Sequence, residues 1–100
     1  MAEWQRLNLN DFKTMREQGL VQVVDIRDGA SFTAGHIPGA QPLNDGNLEA
    51  FLASADKTRP LVVCCYHGHS SQNVAAFLAG EAFQEVYSLD GGYSAWAVQN

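Results

Sequence analysis

The 100-residue sequence is poor in cysteine and in basic residues, and it contains no long hydrophobic run. Its two cysteines, Cys64 and Cys65, are neighbours, which excludes an unstrained disulfide between them because such a bond needs a wider Cα separation. Six Lys and Arg against 11 Asp and Glu give a net charge of −5, which argues against a general binder of nucleic acid or of anionic membranes. No apolar stretch approaches the roughly 18 residues of a membrane span.

The first residues, MAEWQR (1–6), also lack the basic stretch and following apolar stretch of a secretory signal. Two thiols without a disulfide partner are typical of a reducing compartment. With 46% hydrophobic and 17% charged residues, the composition is that of a folded globular protein. The length suits one domain over residues 1–100. We therefore expect a soluble, cytoplasmic, single-domain protein.

Strand-like and helix-like segments alternate along the chain. Short runs rich in β-branched and other apolar residues predict strands over 21–26, 40–43, 61–65 and 85–89. Amphipathic spacing predicts helices over 12–18 (capped by Asn10 and Asp11), 47–55, 70–80 and 93–98, with a long loop and about one helical turn over 27–39. This alternation predicts an α/β fold with a mostly parallel central sheet of about five strands and helices on both faces.

Polar and reactive side chains follow several of these strands. Asp25, Cys65 and Asp90 all lie at or just after a predicted strand end. Ligands of open parallel sheets bind outside the carboxyl ends of the strands. The three residues are therefore expected to share one edge of the molecule.

The segment CYHGHSS (65–71) connects a predicted strand to a predicted helix. Such a loop aims backbone N–H groups of the first helical turn at one point and forms an anion site. Gly68 would allow a positive φ, and Ser70 or Ser71 could cap the helix. A cysteine at the base of this site shifts towards thiolate. The alternative is a buried cysteine followed by an ordinary turn.

Side chains alternate along a strand, and this alternation distinguishes the two cysteines. If Cys65 points into the loop, Cys64 points into the core. The sequence therefore indicates that Cys64 is a structural thiol and that Cys65 is the candidate nucleophile.

Three segments, VVDIRDGASFTAGHIPGA (23–40), CYHGHSS (65–71) and VYSLDGGYSAW (86–96), together resemble the rhodanese homology domain, and within it the single-domain thiosulfate sulfurtransferases of bacteria. The resemblance implies a rhodanese fold, catalysis by Cys65 and no cofactor. It implies that thiosulfate is held by the backbone of the following loop residues, namely Tyr66, His67, Gly68, His69, Ser70 and Ser71. Close members of the family carry asparagine at the position of His69.

The reaction implied by the resemblance is a double displacement through a persulfide on Cys65. Thiosulfate donates the sulfur, and cyanide or a dithiol such as thioredoxin accepts it. Lys57 or Arg59 could lie close enough to steer thiosulfate. Neither nucleic acid nor a membrane is an expected partner.

Several other interpretations remain open from the residues. A cysteine phosphatase of this fold would need an arginine where the chain has Ser71. A regulatory or sulfur-relay module acting with a protein partner is a further alternative. Asp25, Arg27 and His36 could be taken for a triad, although buried polar groups near strand ends normally satisfy one another. Cys65, His67 and His69 have no evident fourth ligand, so no metal site is expected.

Overall fold

A computed structural model of the chain describes residues 3–99. The strands are β1 (Gln5–Leu7), β2 (Gln22–Asp25), β3 (Gln41–Pro42), β4 (Leu61–Cys64) and β5 (Val86–Leu89). The helices are α1 (Leu9–Glu17), α2 (Gly29–Ala34), α3 (Leu48–Ser54), α4 (Ser70–Ala79) and α5 (Gly92–Gln99). No helix within residues 3–99 is long and apolar enough to cross a bilayer.

The five strands form one sheet in the order β1-β5-β4-β2-β3, and each of these neighbouring pairs is parallel. The predicted α/β class with a largely parallel sheet is therefore confirmed. The register places Asp25 beside Cys64, so β2 and β4 end together. The segments after these two central strands consequently leave the sheet at the same edge, as expected for a ligand site.

The central strand β4 is buried on both faces, because helices cover each side of the sheet. Val62 and Cys64 belong to a core cluster that includes Phe12 of α1 and Trp96 of α5, whose rings make an edge-to-face contact at 5.8 Å. Leu61 and Val63 pack instead into the opposite cluster, with α3 and α4. The alternation predicted for Cys64 is confirmed, since its side chain is fully buried in the first cluster.

Two elements at the start of the chain differ from the sequence prediction. β1 was not predicted, because two of its three residues are polar and exposed. It is held in an extended conformation by its parallel pairing with β5. The cap predicted at Asn10 and Asp11 is wrong: the Asn8 side chain caps α1 by accepting a hydrogen bond from the Asp11 N–H. The helix begins earlier because Leu9 is already buried in the core.

The helical turn predicted within 27–39 is present as the six-residue helix α2. Asp28 caps it by accepting hydrogen bonds from the N–H and the hydroxyl of Ser31. These hydrogen bonds lower the pKa of Asp28, so the carboxylate stays charged at neutral pH. The cap places Asp28 at the carboxyl edge of the sheet, directly after β2.

Candidate active site

Cys65 is the first residue after the central strand, and it opens the active-site loop, residues 65–71, which leads into α4. Only 3% of Cys65 is exposed. Its Sγ accepts hydrogen bonds from the backbone N–H of Gly68 at 3.1 Å and of Ser71 at 3.3 Å. The loop therefore bends around the sulfur and presents N–H donors to it.

Gly68 makes this bend possible. Its φ is +90°, a left-handed value that side-chain-bearing residues rarely adopt. A Cβ at Gly68 would also lie 2.8 Å from the Gly91 nitrogen, so the position has no room for a side chain. The predicted positive φ at Gly68 is thus confirmed, and the close approach of residues 89–91 adds a second reason for glycine.

The carbonyl groups of the active-site loop are bound by partners outside the site. The first N–H groups of α5 do most of this: Tyr93 donates to the Cys65 carbonyl at 2.7 Å, and Ser94 donates to the Tyr66 carbonyl at 3.0 Å. The Gln72 side chain donates to the Gly68 carbonyl at 2.8 Å. With their carbonyls held in this way, the peptide units direct N–H groups towards Cys65. The amino end of α5 thus orients the loop.

Two buried serines extend the hydrogen bonding behind the sulfur. The Ser71 Oγ lies 3.2 Å from the Cys65 Sγ and 2.7 Å from the Ser88 Oγ. If Ser88 donates to Ser71, the Ser71 proton is free to point at a thiolate. If Cys65 is protonated, the direction of both bonds can reverse, because each hydroxyl both donates and accepts.

Opposing influences determine the ionisation of Cys65. Burial by itself raises the pKa of the thiol, because it disfavours the charged form. Hydrogen bonds from the hydroxyl and the N–H of Ser71, and from the N–H groups of Gly68 and His67, outweigh that effect. The pKa of Cys65 therefore lies below its ordinary value. Burial raises the pKa of Cys64 to about 12, so the two neighbouring thiols differ sharply in reactivity.

Ser71→Ala is expected to reduce the reactivity of Cys65 near neutral pH. The change removes a hydroxyl bond to a charged group, worth about 1.5–3 kcal/mol, while the Ser71 N–H remains. Alkylation by iodoacetamide at pH 7 should slow about tenfold or more, and its rate should reach a plateau at higher pH than in the wild type. The measurement is the alkylation rate as a function of pH.

The exposed neighbour Ser70 provides the control for this experiment. Ser70→Ala should leave the pH profile unchanged. Identical profiles for Ser71→Ala and the wild type would show that the backbone N–H groups alone stabilise the thiolate.

Tyr66 joins the active-site loop to the segment after β2. Its hydroxyl donates to the Asp28 carboxylate and lies 2.9 Å from the Ser31 Oγ. Tyr66 as a whole is 44% exposed. The Tyr66 side chain thus connects the loop to the cap of α2 and does not point at the sulfur.

Asp25 and Arg27 form a buried ion pair beneath this connection. The Arg27 Nη2 donates to the Asp25 carboxylate at 2.8 Å and to the Gly35 carbonyl at 2.7 Å. Its guanidinium also stacks 4.1 Å from the centre of the Tyr93 ring. The hydrogen bond to Asp25 raises the pKa of Arg27, so the group stays charged. The structural interpretation of these two residues is confirmed.

The recorded contacts of His36 are with Phe32 and not with Asp25 or Arg27. Its Nδ1 is hydrogen-bonded to the Phe32 carbonyl at 2.8 Å, and its ring stacks on Phe32 at 3.9 Å. Both contacts hold His36 against Phe32 of α2. Asp25, Arg27 and His36 therefore do not form a triad.

The side chains of the remaining predicted loop residues differ in exposure and in their distance from the sulfur. The side chains of His67, His69 and Ser70 are exposed. The predicted helix cap at Ser70 or Ser71 is wrong: His69 is the first flanking residue of α4, without a capping side-chain bond, and Ser71 lies inside the helix facing Cys65. The N–H of Ser71, in the first turn of the helix, donates to the sulfur.

The suggestion that Lys57 or Arg59 steers the substrate is also wrong. The Lys57 ammonium donates to the Glu81 carbonyl, and Arg59 donates to the Val21 carbonyl at 3.1 Å. Both residues precede β4 and lie at the amino end of the strands, opposite the active-site loop. Positive potential at the site therefore comes from backbone N–H groups and from the α4 dipole.

Sequence reasoning did not find Ser88 or the contribution of α5. Ser88 is a serine inside an apolar strand, and that polar interruption is the signal that marks it. Gly92 lets the start of α5 pack against the loop, since a Cβ there would lie 2.4 Å from the Cys65 carbonyl oxygen.

The fold and the site together define an α/β domain in which backbone N–H groups and a serine hydroxyl surround one cysteine and lower its pKa. Residues 8–99 match the rhodanese-like domain. The chain belongs to the rhodanese-like domain family.

Curated relatives match along nearly the whole chain. A protein of Shewanella oneidensis named thiosulfate sulfurtransferase GlpE is 54% identical over 100% of this chain and 99% of its own length. A protein of the same name from Ectopseudomonas mendocina is 50% identical over 96% of this chain and 87% of its own length. Among solved structures, a rhodanese-like domain from Anabaena is 27% identical, with a TM-score of 0.78 over 95% of this chain and 74% of that one.

Proposed function

We infer that this chain is a rhodanese-type thiosulfate sulfurtransferase with Cys65 as its nucleophile. One observation carries the assignment of the residue: the Cys65 sulfur accepts N–H bonds from Gly68 and Ser71 at the carboxyl edge of the sheet. The full-length similarity to proteins named thiosulfate sulfurtransferase supports the reaction.

In the first half of the reaction, the Cys65 thiolate attacks the outer sulfur of thiosulfate. A bond forms between the two sulfurs, the sulfur–sulfur bond of thiosulfate breaks, and sulfite leaves with the bonding electron pair. Cys65 then carries a persulfide with one negative charge. Thiolate and thiosulfate bring three negative charges together, and persulfide and sulfite carry the same three away, so no proton donor or base is needed.

We assign substrate binding to the backbone of the active-site loop. The N–H groups of His67, Gly68 and Ser71 donate to the sulfur, and the carbonyls of Tyr66 and Gly68 are bound by groups outside the site. Anionic oxygens of thiosulfate, and later the anionic outer sulfur, take hydrogen bonds from such N–H groups. His69 flanks the start of α4, and its side chain is exposed.

In the second half, an acceptor attacks the outer sulfur, and Cys65 departs as a thiolate. Cyanide becomes thiocyanate in one step. A protein dithiol such as thioredoxin first becomes a persulfide, and its second thiol then displaces hydrosulfide and closes a disulfide. The dithiol is thereby oxidised by two electrons, and the transferred sulfur is reduced to sulfide.

The free thiols indicate that the protein acts in a reducing compartment. We propose that this compartment is the cytoplasm. Both Cys64 and Cys65 are free and buried. A reducing environment keeps Cys65 available for each turnover. We also propose that residues 1–100 act as one catalytic domain. A purely regulatory binding module is not favoured, because such a role does not require a thiol with a lowered pKa.

A phosphatase reaction is likewise not favoured by the contacts at the site. The side chain at the position where that chemistry needs arginine is the buried hydroxyl of Ser71. Arg27 adjoins the Tyr66 ring, but its guanidinium is bound to Asp25 and to the Gly35 carbonyl. Neither group offers phosphate a bidentate partner.

Intact-mass spectrometry after incubation with thiosulfate tests the proposed function. The wild type should gain about 32 Da, one sulfur atom, and subsequent cyanide should remove it. Protein first alkylated with iodoacetamide serves as the control and should gain no sulfur. If unmodified protein acquires no cyanide-labile sulfur, thiosulfate is not the donor.

A further inference from the structure

A groove of about 610 Å³ runs along the same edge of the molecule, beside the active-site loop. Its apolar lining comes from three separate segments: Ile26 after β2, Leu43 and Leu48 around the start of α3, and Val74 and Phe77 on α4. Phe77 is 50% exposed, although the opposite face of α4 is buried in the core. The Phe77 ring is therefore exposed here, beside the partly exposed Ile26, Leu48 and Val74, and these groups line a concave surface.

The groove adjoins the active-site loop through contacts with Tyr66. Arg27 and Asp28 line one end of it, and both also contact Tyr66, the residue after Cys65. On α4, Val74 lies one turn beyond Ser71, and residues three apart on a helix are neighbours at about 5–6 Å. A molecule seated in the groove would thus reach from Phe77 to the active-site loop.

The low exposure of the Cys65 sulfur makes this groove useful for acceptors that are proteins. Because Cys65 is only 3% exposed, an acceptor thiol must be brought close to the loop before it can attack. Cyanide and small dithiols are small enough to approach without further contacts. A protein thiol must fit its own surface around the loop, and an apolar contact next to the site would hold it there.

The charges around the groove restrict the partner further. Exposed carboxylates of Asp28 and Asp45 stand in its lining, and the whole chain carries a net charge of −5. An acceptor attacks as a thiolate, which this negative charge repels. A basic residue beside the acceptor's cysteine would offset the repulsion and complement the two carboxylates.

We propose that this groove is the docking surface for a protein dithiol that accepts sulfur from Cys65. The partner places an apolar side chain against Phe77 and Val74, and a basic residue near Asp28 and Asp45. This inference rests on the proposed sulfurtransferase function and adds the surface that selects protein acceptors.

The test compares three acceptors on two variants. Phe77→Asp places a charge in the groove, and Leu20→Asp is the matched control, because Leu20 is 56% exposed and lies before β2 at the opposite end of the sheet. The acceptors are cyanide, dithiothreitol and reduced thioredoxin. For Phe77→Asp, kcat/KM with thioredoxin should fall at least tenfold, mainly through KM, while values for the two small acceptors stay within twofold. Leu20→Asp should change none of them.

Several results would overturn the proposal. Unchanged thioredoxin kinetics in Phe77→Asp would mean that the partner docks elsewhere. An equal loss with all three acceptors would show that Phe77 supports the site itself, and the milder Phe77→Ser would then show the same equal loss. A fall in solution mass by light scattering, from dimer to monomer, would assign the groove to a second copy of the chain. Absence of cyanide activity in the wild type would instead refute the sulfurtransferase function.

Discussion

Cys65→Ser is expected to abolish sulfur transfer, whereas Cys64→Ser is expected to preserve it. A serine hydroxyl in the active-site loop does not ionise near neutral pH and forms no persulfide, so activity should fall to background, by about 10³-fold or more. Cys64 points into the core and its pKa is raised to about 12, so it cannot replace its neighbour. Intact mass after thiosulfate treatment and turnover with cyanide measure the difference.

Cys64→Ser should lower the free energy of unfolding more than Cys65→Ser does. Cys64→Ser places a hydroxyl in a fully buried apolar cluster, at a cost of about 1–3 kcal/mol in the free energy of unfolding. Cys65→Ser leaves a hydroxyl beside Ser71 and the N–H groups that already bind the sulfur. Urea unfolding measures both. A cyanide-labile sulfur adduct on Cys65→Ser, or its absence on folded Cys64→Ser, would contradict the assignment of the two thiols.

Gly92→Ala should damage both stability and catalysis. Gly92 has a φ of +56°, and a Cβ there would lie 2.4 Å from the Cys65 carbonyl oxygen. The left-handed conformation costs alanine about 1–2 kcal/mol. Forcing backbone apart costs about 1–3 kcal/mol more. Because α5 must move away from the loop, the Tyr93 hydrogen bond to the Cys65 carbonyl is lost with it.

Gly19→Ala separates the cost of the left-handed conformation from the cost of the close contact with the loop. Gly19 has a φ of +70°, but a Cβ there would meet nothing within 4 Å. Its loss of unfolding free energy should be limited to the conformational cost of about 1–2 kcal/mol, with full activity. Urea titrations and cyanide turnover compare the variants. Equal losses of stability with unchanged activity in both would show that the contact between Gly92 and the loop does not matter.

The parts of the site that lie close together in sequence were predictable. Strand alternation distinguished Cys64 from Cys65, and the loop after β4 carried its own signals in Gly68 and the adjoining helix. The spacing of Asp25 and Arg27 at a strand end suggested their pairing. In each case the interacting groups lie within a few residues, so local geometry decides the outcome.

The parts built from distant segments were not predictable in the same way. β1 is too short and polar to be recognised as a strand, and only its partner β5 orders it. Ser88 joins Cys65 through Ser71 across two elements, and the groove near Phe77 combines three segments. Composition and periodicity contain no distances between separate elements, so these contacts required the fold.

The pairing of β1 with β5 affects how the chain can fold during synthesis. Leu7 pairs with Leu89, so the first strand has its partner only after residue 89 has left the ribosome. Contacts between residues so far apart in sequence form slowly, because a long loop must close first. Until then the edge of β5 has no neighbour and can pair with other chains. We therefore expect docking of the N-terminal segment to protect newly made chains from pairing at this edge.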